Sequence, residues 1–206
     1  MKLAACLVGL FVAVPAFSQS VIDWNYNNQA AGLGNGCGPG EVRFISAGNE
    51  VSVIFSGLGI AMDAGDSTGG VTAKKSCRIV IPTKVHAGYY LGKLDQTISY
   101  GYTRTDSTSG QVTAGTTFYN QPAGTLSKPI PTPGLNQYSV PLAQIKTTSY
   151  WNVNPEWCMN RDYIGNFKAD LVVTGKRANM SKDLKISIDG HDIRFDAVGV
   201  AYLCRR

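Results

Sequence analysis

The chain has 206 residues, with 19 Lys and Arg against 14 Asp and Glu and a formal charge of +5. That length suits one domain with a real core. The basic excess is dispersed, and the local groupings Lys74-Lys75 and Arg205-Arg206 read as solvated pairs rather than the stripe a nucleic-acid binder needs. With 23 glycines and many Thr, Ser, Val and Tyr, the composition favours short strands and tight turns over long helices.

Lys2 precedes an apolar run over residues 3–17, and Ala16-Phe17-Ser18 supplies small residues for cleavage after Ser18. Residues 1–18 are therefore expected to be a signal peptide, and residues 19–206 a single secreted domain, extracellular or periplasmic. The run is about 15 residues against the roughly 20 that span a bilayer, and no later segment approaches that length. No membrane span is expected. Leu3-Ala4-Ala5-Cys6 matches a lipid-attachment pattern, but Cys6 begins the apolar run where such a cysteine must end it.

Period-two alternation dominates the rest. Val42 and Phe44, then Val51, Val53 and Phe55, mark two strands joined by the turn Ala47-Gly48-Asn49. Cys77, Ile79 and Ile81 share a face in the next strand, which Pro82 is expected to end. Ile98, Tyr100 and Tyr102 alternate with Ser99, Gly101 and Thr103, and a turn at residues 107–110 leads into Val112, Ala114, Thr116 and Phe118. Ala169, Leu171 and Val173 form one late stripe, and Leu184, Ile186 and Ile188 another. Asp189-Gly190-His191-Asp192 reads as a turn into a final strand over residues 193–203. Six of the nine prolines fall between residues 121 and 156, which reads as a long, extended connection with one short strand near residues 144–150. An interdomain linker is the competing reading, but neither flank holds enough strands for a sandwich.

About eight to ten short strands argue for an antiparallel β-sandwich of jelly-roll or Greek-key type with a long Pro-rich connection. Removing Cys6 leaves Cys37, Cys77, Cys158 and Cys204, an even number suited to two disulfides in an oxidising compartment. Each sits where a strand starts or ends. Three connectivities are open; the preferred one joins Cys37 to Cys77 and Cys158 to Cys204.

The cysteine neighbourhoods resemble a family of small secreted proteins catalogued as domain of unknown function 4360. The residues that carry it are Gly34-Asn35-Gly36-Cys37-Gly38-Pro39-Gly40, the strand Val51-Ser52-Val53-Ile54-Phe55 and the element Lys75-Ser76-Cys77. An aromatic strand over residues 86–102, Glu156-Trp157-Cys158 and the closing Ala201-Tyr202-Leu203-Cys204 follow in the same order. The resemblance implies a secreted, disulfide-bonded β domain and no particular activity.

Chemistry is sparse. Gly32-Leu33-Gly34-Asn35-Gly36 lacks the preceding strand and following helix of a dinucleotide loop. The two histidines, His86 at a strand entrance and His191 in the presumed turn, have no Gly-x-Ser-x-Gly nucleophile motif nearby, and no His-Glu-x-x-His zinc pattern occurs. No catalytic residue and no cofactor is assigned, and the enzyme reading, a hydrolase with an unrecognised carboxylate pair, is the minor one. Asp63 and Asp66, in Asp63-Ala64-Gly65-Asp66-Ser67-Thr68-Gly69-Gly70, are the candidate metal ligands, although such residues are also ordinary turn material. Tyr100, Tyr102, Tyr150 and Trp151 are candidates for stacking on sugar rings, against their competing role in a strand core. The expected function is non-enzymatic binding or coating of an extracellular or envelope partner, with a carbohydrate-binding module as the alternative.

Overall fold

A computed structural model describes residues 20–66, 70–89, 93–118, 120–130, 139–150 and 161–194. Cys6, Trp151, Cys158, Cys204, the signal segment and most of the expected final strand lie outside them. Twelve strands follow one another among the described residues: β1 (Ile22–Trp24), β2 (Ala31–Leu33), β3 (Val42–Ala47), β4 (Glu50–Phe55), β5 (Gly59–Met62), β6 (Thr72–Val85), β7 (Lys93–Arg104), β8 (Thr108–Phe118), β9 (Gln121–Pro129), β10 (Ser139–Tyr150), β11 (Tyr163–Arg177) and β12 (Leu184–Arg194). They form two antiparallel sheets of six. The first runs β1-β6-β11-β8-β9 with β2 also on β6, and the second β10-β7-β12-β4-β3 with β5 also on β12.

The expected alternation is what lets the sheets close on each other. Ile79, Ile81, Leu171, Val173 and Val112 point inward from the first sheet, and Val51, Val53, Leu94, Ile98 and Leu184 from the second, all without exposed surface. They meet in one core, the arrangement of a β-sandwich. Facing sheets pack closely where one lacks side chains: a Cβ on Gly175 of β11 would stand 2.4 Å from Ile60 Cδ1 and 2.7 Å from Leu184 Cδ2. The β3–β4 hairpin turns on Gly48, whose φ of +57° suits the first position of a two-residue hairpin loop.

Four expectations about elements are corrected. Pro82 does not end β6, which continues to Val85. It sits where β1, reaching Thr83, and β2, starting at Val80, leave a gap along β6, a position that tolerates a missing donor. The β7–β8 turn falls at residues 105–107, ahead of its expected place. The Pro-rich stretch holds more strand than expected: the short strand near residues 144–150 is part of Ser139–Tyr150, paired with β7, and Gln121–Pro129 pairs with β8. Both are edge strands with register breaks, and Pro122, Pro129 and Pro141 are confined to them. Finally, residues 189–192 do not turn the chain, because β12 runs through them.

Cys37 and Cys77 form the preferred disulfide, with Cα atoms 5.4 Å apart and a sequence separation of 40. Both are buried. Cys77 lies within β6 rather than at a strand end, so the bridge fastens the loop before β3 to the middle of the first sheet. Chain entropy alone gives a loop of this size about 4 kcal/mol. Cys37→Ala/Cys77→Ala is expected to lose about 2–5 kcal/mol in a urea titration; a loss below 1 kcal/mol would show that the bridge contributes little.

Candidate functional site

Four polar constellations stand out, and three of them hold the fold together. The first is inside the core. Along β12, Leu184, Ile186 and Ile188 face inward, and a register shift against β7 between Ile188 and Gly190 inserts Asp189 as an extra residue. The bulge exchanges the two faces, so His191 points inward and is wholly buried. His191 Nε2 lies 3.1 Å from Gln96 Oε1, Gln96 Nε2 donates to Thr116 Oγ1 at 3.0 Å, and Thr116 donates to the Gly124 carbonyl at 3.1 Å. A carbonyl only accepts, which fixes every direction in this chain: Thr116 donates to Gly124, Gln96 to Thr116, and the His191 Nε2–H to Gln96. His191 is therefore the neutral Nε2–H tautomer. Its Nδ1 has no hydrogen-bond partner among the described residues. Burial pushes its pKa down to about 3. A relay spanning both sheets, with no opening to solvent, is structural.

The second constellation occupies the candidate metal loop. Arg177, 1% exposed, closes the inward face of β11. Its Nη1 donates to the carbonyls of Asp63 (2.8 Å) and Lys182 (3.4 Å), its Nη2 to the Asp66 carbonyl (3.1 Å) and Met180 Sδ (2.9 Å), and its Nε to the Gly70 carbonyl (3.3 Å). The Asp63 carboxylate instead pairs with Lys185 at 2.8 Å, and the Ala64 amide donates to the Asp183 carboxylate. The loop's inward oxygens thus serve a guanidinium. Among the described residues, no three His, Cys, Asp or Glu side chains are grouped to hold a metal ion.

The third gathers around His86, which follows the end of β6. Asp23 Oδ2 is 3.2 Å from its Nε2 and Asp162 Oδ1 is 3.9 Å from its Nδ1. Lys84 Nζ lies 2.8 Å from Asp162 Oδ2, and the Ala87 amide donates to Oδ1 at 3.0 Å. Lys84 and that amide hold the Asp162 carboxyl below its ordinary range. The two carboxylates converge on a histidine and not across a cleft, and the cluster clasps β1, β6 and the approach to β11.

The fourth is an open groove of about 900 Å³ on the second sheet. Strand register explains it. Gly59, Ser187 and Gly101 lie in one row across β5, β12 and β7, and Ala61, Lys185, Thr103 and Ser139 in the next row, which extends onto β10. Small residues leave a depression there. Gly101 is required because the bulged β10 crosses it: a Cβ would stand 2.6 Å from the Pro141 carbonyl oxygen. The hydroxyls of Thr103 and Ser139, 3.2 Å apart, form one wall. Lys185 and, from β6, Lys74 and Lys75 line the other side.

Of the candidate stacking residues, Tyr100 and Tyr102 do not form an exposed platform. Tyr100 and Tyr102 are 3% and 6% exposed, with their rings stacked 6.4 Å apart in the core. Tyr150 ends β10 opposite Lys93. Gln96, Arg177 and Lys185 were not singled out by pattern, and Lys74 and Lys75 were read only as a solvated pair. The signal for the first two was a polar side chain on an inward parity, Gln96 between Leu94 and Ile98 and Arg177 beyond Leu171 and Val173. Among the described residues no helix is long and apolar enough to cross a membrane. No family model matches this chain, and no curated protein matches it in sequence.

Proposed function

We propose that this chain is a secreted, non-catalytic binding protein that takes an extracellular or envelope glycan polymer in the groove over β5, β12, β7 and β10. The observation that carries this reading is the groove itself, open and floored by small residues, with the hydroxyls of Thr103, Ser139 and Ser187 along it suited to sugar hydroxyls. The two histidines, the groups best suited to acid–base chemistry, are engaged in the core relay and the Asp23–His86–Asp162 clasp. Export rests on the N-terminal segment and agrees with the Cys37–Cys77 bridge. Membership of the family catalogued as domain of unknown function 4360, a second bridge from Cys158 to Cys204 and a jelly-roll or Greek-key topology complete the reading.

The test is co-sedimentation of the purified protein with insoluble polysaccharides and cell-envelope fractions. Ser187→Trp places an indole on the groove floor from an exposed position and should abolish retention while leaving Tm within about 2 °C. Equal retention of wild type and variant would move the site elsewhere. Release of reducing sugar from any polymer would replace binding by hydrolysis.

A further inference from the structure

A second depression, about 760 Å³, lies on the exposed face of the first sheet between β6, β11, β8 and β9. It is lined by Thr72, Ser109, Gln111, Thr174 and Lys176, and it shares Ala73 and Lys74 with the groove on the second sheet. The two are thus one path that turns the margin of β6. Along that whole path the described lining residues include four lysines, Lys74, Lys75, Lys176 and Lys185, and no carboxylate.

The lysines are not equivalent. Lys185 is paired with Asp63, and Lys75 donates to the Gly57 carbonyl at 3.2 Å. Lys74 and Lys176 make no ion pair or side-chain hydrogen bond with any described residue. They face the same way, because Lys74 lies opposite Thr174 and Lys176 opposite Thr72 on adjacent antiparallel strands. That diagonal relation puts them about 7–8 Å apart. Several other surface cations have counter-charges: Arg78 pairs with Asp170, Lys84 with Asp162, and Lys182 with Asp106. Here two lysines rise from diagonal positions on one exposed face with no counter-charge between them, a concentration of positive charge that an anion would neutralise.

Resting on the proposed binding function, we infer that the ligand is an acidic polysaccharide, bearing carboxylate or sulfate groups, whose charges are met by Lys74 and Lys176. Three features favour a glycan over other polyanions. The path is lined with hydroxyl and amide groups from Ser109, Gln111, Thr174, Thr103, Ser139 and Ser187. Its single aromatic lining residue, Tyr102, is buried, so no ring is offered for stacking bases. The two open depressions run together over the margin of β6, so an extended chain can be laid along both.

Calorimetric titration of the purified protein with polygalacturonate, a neutral β-glucan and duplex DNA, at low and moderate salt, tests this. Polygalacturonate should bind, weakening several-fold between 50 and 200 mM NaCl as exposed charges are screened. Lys74→Gln/Lys176→Gln should lose at least about tenfold in affinity with Tm unchanged, since both side chains are exposed. A neutral glucan bound as tightly, without salt dependence, would overturn the acidic ligand and leave the binding function standing. Tighter binding of DNA would replace the polysaccharide, and full affinity in the double variant would refute the site. Binding of none of the three polymers would overturn the acidic-glycan inference, and the wider binding reading would fall with it if no envelope fraction retained the protein either.

Discussion

Replacing Arg177 with methionine should destabilise the protein by about 3–5 kcal/mol, the largest effect expected of any single substitution outside the disulfide. The guanidinium is buried, and it is the hydrogen-bond donor to the carbonyls of Asp63, Asp66, Gly70 and Lys182. Methionine fills much of the volume but donates nothing. Each carbonyl left buried without a donor costs about 1–3 kcal/mol, and water entering beside the exposed Asp63 and Asp66 side chains returns part of that. Lysine at this position keeps the charge but not the fork, so Arg177→Lys should fall between methionine and wild type. Urea denaturation measures all three. A methionine variant within 1 kcal/mol of wild type would mean that the loops at residues 63–70 and 177–183 hold themselves without the arginine.

Acid should weaken the fold before its carboxylates titrate, and His191 should be the cause. Its folded pKa lies near 3, below the ordinary value of 6.5. Between those values the unfolded chain binds a proton that the folded one refuses. Stability is therefore fully present above pH 6.5 and declines as pH falls, by about 1.4 kcal/mol per pH unit. The whole window amounts to about 4–5 kcal/mol, of which some 2–3 kcal/mol should be seen between pH 6.5 and 4.5. Asp162 and Asp106, both held below the ordinary carboxyl range by lysines, add losses in the same direction only at lower pH. His191→Leu should be less stable at pH 7, because Gln96 loses its donor, yet flatter from pH 6.5 to 4.5. His86→Ala controls for the other histidine. An unchanged slope in His191→Leu would place the acid sensitivity elsewhere.

How much of this was legible depended on how far apart in sequence the partners stand. The β3–β4 hairpin declares itself within a dozen residues, through alternation on either side of Gly48. The inward face of β7 was equally plain, although its one discordant member, Gln96, pointed to a buried relay that alternation alone could not complete. Prolines misled the reading of β9 and β10, because proline excludes a central strand and tolerates an edge, and edge position is decided by neighbours distant in the chain. The groove was invisible for the same reason. Lys74 looked like half of a solvated pair with Lys75, whereas its relevant neighbour is Lys176, brought beside it only by the register of β6 on β11. The loop at residues 63–70 drew notice for its carboxylates, whereas the oxygens that hold Arg177 are backbone carbonyls, which no side-chain pattern displays.

The extra residue in β12 has a consequence for descent. Read from Leu184 to Ile188, the strand is in one frame; read from Gly190 onward, it is in the other. A relative lacking Asp189 would pair Ile188, Gly190 and His191 with Tyr100, Ser99 and Ile98 as here, in a regular ladder, and the imidazole would stay inside. The interior base, and the acid sensitivity it brings, would therefore be inherited with or without the extra codon, which is free to vary among descendants of this fold.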